Sequence, residues 1–399
     1  MHRSTPVSLP RAGGWPFLIT SFLGRLPASM VQLGYLMVLS SSGRGLAAAG
    51  LAVAAVGLGT AIGAPVIGRL VDRFGALRVL SVSTAGSLLG QLAFLAALVR
   101  QEPTTTLLVC AGLVGFANPQ IGAVARTHWS HLAHQLRQPG LVSRALGYEG
   151  AVDELGFVIG PVLAGALVGL AGPVPATVVV LVATGVLQGL FLVHLWAHRG
   201  ARAAEHTAAP APQAAGGLKV DVLWPLLGCL GVGLLFGSTQ TALTGLFELR
   251  GTPGLTGVVY GCVGVGSGIA SLLVGRLPAS IPVPRRVAFG AGLALLGALL
   301  MMGLPSALPA SLVGILLGSS AGVVLVSSFG WMERIAPRHR MATMMTVLMT
   351  AVTLGISGGA ALAGSLAAEP ACAFWPLFAT AGLALVAALG MRLSRWPSE

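Results

Sequence analysis

The sequence predicts an all-α membrane protein of twelve transmembrane helices arranged as two six-helix halves, and three observations carry that prediction. Of 399 residues, 55% are hydrophobic and only 9% are charged, and the mean hydropathy is +0.87. That is far too apolar for a soluble chain of this length. A spanning helix needs roughly 20 apolar residues, and twelve such runs can be placed: 15–39, 46–67, 79–100, 105–126, 146–169, 174–197, 223–247, 255–275, 287–303, 309–330, 343–367 and 373–391. These are spans 1 to 12. The longest polar interruption, 199–222, lies between spans 6 and 7. It divides the chain into residues 1–198, a cytoplasmic linker and residues 223–399, as transporters built from two repeated halves require.

The formal net charge is +12. In a soluble protein this would suggest nucleic acid, but here the location of the charge decides. One side of the membrane holds 19 of the 23 Lys and Arg residues in seven short segments, while the other holds Arg44, Arg100 and Arg250, and Arg25 lies within span 1. The positive-inside bias puts both termini in the cytoplasm. Scattered arginines make no contiguous nucleic-acid patch. Arginine outnumbers lysine 22 to 1, a hint of a GC-rich bacterial genome and so of a bacterial cytoplasmic (plasma) membrane. Arg3 and Arg11 precede an apolar run about as long as a spanning helix with no convincing cleavage site, so it reads as a retained span 1.

Span 1 carries Arg25, Gln32 and Tyr35, with Pro27 just behind the arginine. An arginine inside a lipid-embedded helix costs about 2.5–3.5 kcal/mol on insertion scales. Arg25 therefore faces a cavity or a carboxylate, or it reaches back to the cytoplasmic headgroups. Gln32 and Tyr35 are candidate cavity residues.

Between spans 2 and 3 stands Gly68-Arg-Leu-Val-Asp72-Arg73-Phe-Gly75-Ala-Leu-Arg78. Glycines 68 and 75 let the backbone turn tightly, Asp72 can cap or pair across the turn, and the arginines mark the side facing anionic headgroups. The spacing resembles the loop between helices 2 and 3 of the major facilitator superfamily, G-x-L-x-D-R-x-G-R-R. Gly68, Leu70, Asp72, Arg73 and Gly75 match, and Arg78 supplies charge that the family places at the positions of Ala76 and Leu77. The resemblance implies the major facilitator fold and a gate-latch role for Gly68, Asp72, Arg73, Gly75 and Arg78.

Span 4 has Asn118-Pro119-Gln120 near its middle and Arg126 at its cytoplasmic end. Pro119 removes a backbone bond and should kink the helix, and Asn118 and Gln120 are further cavity candidates. In the resembled family a basic residue on helix 4 often joins the latch. Arg126 either plays that part with Asp72 or anchors the helix end to headgroups.

Span 5 is the most informative: Glu149, Asp153 and Glu154 precede Gly156-x-x-x-Gly160-Pro161-x-x-x-Gly165. Glu149, Asp153, Gly156 and Gly160 share one helix face. The glycines invite close helix packing, and Gly-x-x-x-Gly-Pro resembles the helix 5 signature of the drug and proton antiporter branch of the superfamily. Burial raises a carboxylate pKa and a nearby cation lowers it. Asp153, Glu154, Glu149 and Arg25 are therefore proton-coupling candidates. Two alternatives stand beside coupling: a permanent ion pair between Arg25 and one of these acids, and an unpaired protonated acid.

In the second half, Gly275-Arg276-Leu277 closes span 8 as Gly68-Arg69-Leu70 closes span 2, a weak internal echo. No second-half span carries a mid-membrane acid. Span 7 offers Ser238-Thr239-Gln240-Thr241 and span 10 offers Ser319-Ser320 and Ser327-Ser328. The hydroxyls readily bond their own helix backbone, whereas Gln240 needs a partner or a wet cavity.

Several constellations are discounted. His128, His131 and His134, and the pair His194 and His198, lack a neighbouring acid or cysteine to complete a metal site. Cys110, Cys229, Cys262 and Cys372 read as small core residues. Gly355-Ile-Ser357-Gly-Gly359 matches a hydrolase elbow but lies in a helical apolar run rather than a strand-to-helix turn, and no phosphate-binding loop occurs.

The expected function is secondary active transport: proton-coupled efflux of a small apolar or amphipathic compound by one chain acting as a monomer. No cofactor, metal, nucleic acid or enzymatic activity is expected. Proton-coupled uptake of a small nutrient such as a sugar is the alternative, and a non-transporting membrane sensor the third reading.

Overall fold

The computed structural model describes residues 8–136, 138, 140–198, 220–274, 277, 280–336 and 341–394. Among them the regular structure is entirely helical, and ten helices are long and apolar enough to cross a membrane. The expected runs fall within helices, spans 1 and 2 sharing one of these ten and span 5 lying on a helix outside them, with differences that have local causes.

Span 1 is two helices, α2 (Trp15–Leu23) and α3 (Leu26–Leu39), preceded by a short α1 (Leu9–Gly13). Pro27 occupies the first turn of α3, where its missing N–H does no harm. Any longer helix would put its ring against a carbonyl of the preceding turn. A π-helical turn, Ser40–Arg44, then leads into α4 (Gly45–Phe74), with Gly43 at φ 74° and Gly45 at φ 82°. α3 and α4 pack on each other across it.

The turn before α5 (Ala76–Val99) is tighter than expected. α4 continues through Gly68 and Asp72, and only Gly75, at φ 87°, leaves helical geometry. Asp72 is thus an exposed residue in the last turn of α4 and caps nothing.

Span 4 is broken outright into α6 (Thr104–Phe116) and α7 (Ile121–Gln135) around Asn118-Pro119-Gln120. α7 runs nine residues beyond the expected end of the span at 126. α8 (Gly140–Ala171) carries the three acids, and its apolar part is Val158–Ala171. Span 6 comprises α9 (Pro173–Ala183), a π-helical segment Thr184–Gln188 and α10 (Gly189–Ala197).

The remaining helices are α11 (Leu223–Leu249), α12 (Leu255–Val274), α13 (Val283–Met302), α14 (Ala307–Ile335), α15 (Met341–Ser365) and α16 (Pro376–Leu393). Residues 199–219 of the expected linker, and Gly275 and Arg276 of the internal echo, lie outside the described residues.

The segments before and after the linker meet along α4 with α15 and α8 with α12. These contacts use glycine. A Cβ on Gly50 or Gly57 of α4 would strike Ala360 or Ser357 of α15, and one on Gly165 or Gly169 of α8 would strike Gly257 or Gly254. Toward the opposite ends of the same helices, a Cβ on Gly68 of α4, Gly150 of α8 or Gly268 of α12 would meet open space. The glycine contacts thus gather at one end of the molecule. Ser40 also donates there to the Glu248 carboxylate of α11.

Candidate functional site

The two helix breaks face each other. Gly24, at the end of α2, packs on Ile121, the first residue of α7. Arg25 therefore leaves the chain just before the N-terminus of α3, beside the N-terminus of α7. α8 crosses both. Ser29 of α3 lies so close to Gly160 that a Cβ there would stand 2.8 Å from the serine Cβ. This approach brings the acid face of α8 onto Arg25.

The result is an ion cluster. Arg25 Nη2 donates to Glu149 Oε2, and Arg25 Nη1 lies 3.0 Å from Asp153 Oδ1. The other oxygen of Asp153 accepts from Arg126 Nη2. Trp129, one turn beyond Arg126 on α7, donates its indole N–H to Glu149 Oε1 at 2.8 Å. Glu149 and Asp153 are one turn apart on α8, so each carboxylate meets a different edge of the Arg25 guanidinium.

Burial is graded across the cluster. The Glu149 side chain is fully buried, Arg25 is 12% exposed, Asp153 26% and Arg126 39%. Behind Glu149 stands an apolar wall of Phe17, Leu18, Ile121, Trp129, Ala145 and Phe191. Ionised groups taken out of water persist only when paired and hydrogen-bonded, and here both oxygens of each acid are engaged.

The other candidate residues take different places. Glu154 sits on α8, and its side chain lies outside the described residues. The helix 5 motif splits in two: Gly156 and Gly160 face Ser29 of α3, whereas the Pro161 carbonyl and Gly165 pack on Gly257 in the first turn of α12. Arg126 meets Asp153 rather than Asp72. No ion pair among the described residues involves Asp72, Arg73 lies over the Phe74 ring at 5.1 Å, and Arg78 is exposed.

Gln32, Asn118 and Gln120 are half-buried, with Gln120 Nε2 donating to the Asn118 carbonyl at 2.9 Å. Gln240 is buried on α11 and its Nε2 has no partner. Tyr35 is buried on α3. It stacks on Phe94 of α5, ring centroids 3.8 Å apart, and lines an apolar void of about 10 Å³ shared with α8 and α9. That is room for about one water. Ser357 lies inside α15 with its hydroxyl on the Thr353 carbonyl, as a helical serine does.

Sequence reasoning missed Trp129, because the stretch around three histidines read as a loop. The signal was present: on a continued helix, Arg126 and Trp129 are three residues apart and share a face. It also missed the bond between Gln91 of α5 and Thr184 of the π-helical segment, 3.0 Å.

The sequence profile of the Major Facilitator Superfamily matches residues 17–360. The chain belongs to this superfamily. No curated protein matches it, but solved transporters share the superfamily fold over nearly their whole length. A bacterial homologue of the iron transporter ferroportin, in an inward-facing state, is 17% identical with a TM-score of 0.71, covering 97% of this chain and 99% of that one. The auto-inhibited POT family peptide transporter is 15% identical with a TM-score of 0.68, covering 96% and 97%. The nucleoside transporter NupG is 13% identical with a TM-score of 0.66, covering 96% and 98%. At these identities the likeness is one of fold. The chain is accordingly a multi-pass membrane transporter of the superfamily type.

Proposed function

We propose that this transporter exports a small apolar or amphipathic compound by proton-coupled alternating access, acting as a monomer in a bacterial plasma membrane with both termini in the cytoplasm. The observation that carries the coupling is the partly buried cluster of Arg25, Glu149, Asp153 and Arg126. Ionisable side chains inside a membrane bundle are expensive and mark proton or substrate pathways.

Two six-helix halves, 1–198 and 223–399, would rock about the cluster's level. Twelve crossings fit the helices. Trp15–Phe74 is 60 residues long, about three bilayer thicknesses if straight, and the glycine-rich π-turn at Ser40–Arg44 folds it back into two. The 32 residues of α8 are long enough for one more. With the basic loops inside, the glycine-packed end is the outer one, and the open end with the Gly68 to Arg78 gate faces the cytoplasm. Export is favoured by the apolar spans, which offer few amides and only three tyrosines to hold a sugar.

Inverted vesicles with a preset pH gradient test this reading. Drugs, organic ions and sugars are added, with an Asp153→Asn, Glu154→Gln variant alongside. A gradient change evoked by apolar or amphipathic compounds and abolished in the variant supports the proposal. A response to sugars alone moves the function to nutrient uptake, and a response unchanged in the variant places coupling on groups other than Asp153 and Glu154.

A further inference from the structure

The ion cluster gathers two arginines around its two carboxylates. Arg25 and Arg126 converge on one face of α7, where a Cβ on Gly122 would lie 3.3 Å from Arg126 Nη1 and 3.5 Å from Arg25 Cζ. The N-termini of two mid-span helices, α3 of 14 residues and α7 of 15, open at the same point. The α7 terminus adds the positive end of its helix dipole, whereas at α3 Pro27 brings no N–H and the Ala28 N–H is taken by the Arg25 carbonyl. Broken membrane helices whose N-termini converge in this way favour anionic groups. Arg25 Nε is buried with no partner.

Glu149 is sealed by Trp129 and Arg25, whereas Asp153 is partly exposed and spans both arginines. It occupies the position an incoming carboxylate would take. We propose that Arg25 and Arg126 form an anion subsite, filled at rest by Asp153, that accepts the carboxylate of an amphipathic organic acid together with one proton. This deepens the transport reading and rests on it.

Charge balance supplies the proton. The described cluster side chains carry two positive and two negative charges. An entering anion would leave them at net −1 in a medium of low dielectric, where uncompensated charge is costly. Asp153 takes a proton from solvent onto its released carboxylate oxygen, and neutrality returns. Among the described residues, Asp153 meets Arg25 from the α2–α3 junction and Arg126 from α7, with Glu149 one turn away on its own helix, while the side chains of Arg144 and Glu154 of α8 lie outside the described residues. α1 brings the exposed Arg11, α3 only the inward-stacked Tyr35, α12 only Tyr260 and Cys262 as titratable residues, and α9 none. Export of such an acid runs down its own outward gradient, carrying the proton with it.

Benzoate is a suitable probe, with benzamide and benzylamine as neutral and cationic matches of the same size. Binding to the purified full chain is measured by calorimetry in buffers of differing ionisation heat, which counts protons. Benzoate should bind at least about tenfold tighter than either match, with one proton taken up, so its affinity falls about tenfold per pH unit above neutrality. Asp153→Asn should bind benzoate more tightly, with no proton uptake and no pH dependence, and Arg126→Gln should lose the preference for the anion. Should Asp153→Asn fail to fold, the proton count on the wild type decides alone. Equal binding of benzoate and benzamide, or benzoate binding without proton uptake, overturns the proposal. An apolar compound that changes the vesicle gradient while benzoate fails to bind would overturn the anion subsite and leave proton-coupled transport standing.

Discussion

A Cβ built on Gly165 of α8 would stand 2.7 Å from the Cα of Gly257, so α8 and α12 touch backbone to backbone with no side chain between them. Glycine inside a helix normally destabilises it by about 1 kcal/mol relative to alanine, which makes this contact the reason to keep one. Gly165→Leu should therefore lower the thermal unfolding temperature of the purified protein, because overpacking costs about 1–3 kcal/mol. Gly268→Leu on α12, where a Cβ meets open space, should leave that temperature unchanged or raise it.

Arg25 and Glu149 should behave as a pair under mutation. Arg25→Gln leaves a fully buried carboxylate short of its cation, a loss of about 3–5 kcal/mol. The double variant with Glu149→Gln removes both charges and should recover most of that loss. Unfolding in mixed detergent micelles reads the difference, and equal losses in the single and double variants would contradict the burial argument.

Trp129→Phe keeps an aromatic ring against Phe17 but deletes the N–H on Glu149. One buried carboxylate oxygen then goes unsatisfied, at about 1–3 kcal/mol. The same unfolding assay should place this variant between the wild type and Arg25→Gln.

Ser40 and Glu248 join the two parts of the chain at the glycine-packed end. Ser40→Ala removes a hydrogen bond to a charged group, about 1.5 kcal/mol or more, and shifts the population away from closure at that end by roughly tenfold. Spin labels at Ser42 and Thr252 should report a longer distance population in the variant. An unchanged distance distribution would show that the glycine contacts hold that end by themselves.

The helices and the interruption of span 4 were legible because their causes are local, whereas the break of span 1 at Pro27 was not anticipated. Lipid forces backbone bonds inside each helix, so apolar run length marks a span, and Pro119 marks where a span cannot continue. The gate loop was legible as a motif but not in its geometry: Gly68 is compatible with helix, and only Gly75 takes a left-handed φ. Tyr35 was legible as a polar residue in mid-span, but its stacking partner Phe94 stands 59 positions away, where no periodicity could nominate it.

The sequence by itself determined a membrane protein, its basic loops, its superfamily motif and the presence of one arginine and three acids too deep for lipid. Those properties follow from composition and from spacing within single helices. Only the tertiary structure decided that Asp153 takes both Arg25 and Arg126, that Glu149 is sealed under Trp129, and that glycines close one end. Arg25 and Asp153 stand 128 positions apart. Their meeting depends on Gly160 admitting Ser29, and such fits between helices are properties of packed surfaces that residue spacing does not encode.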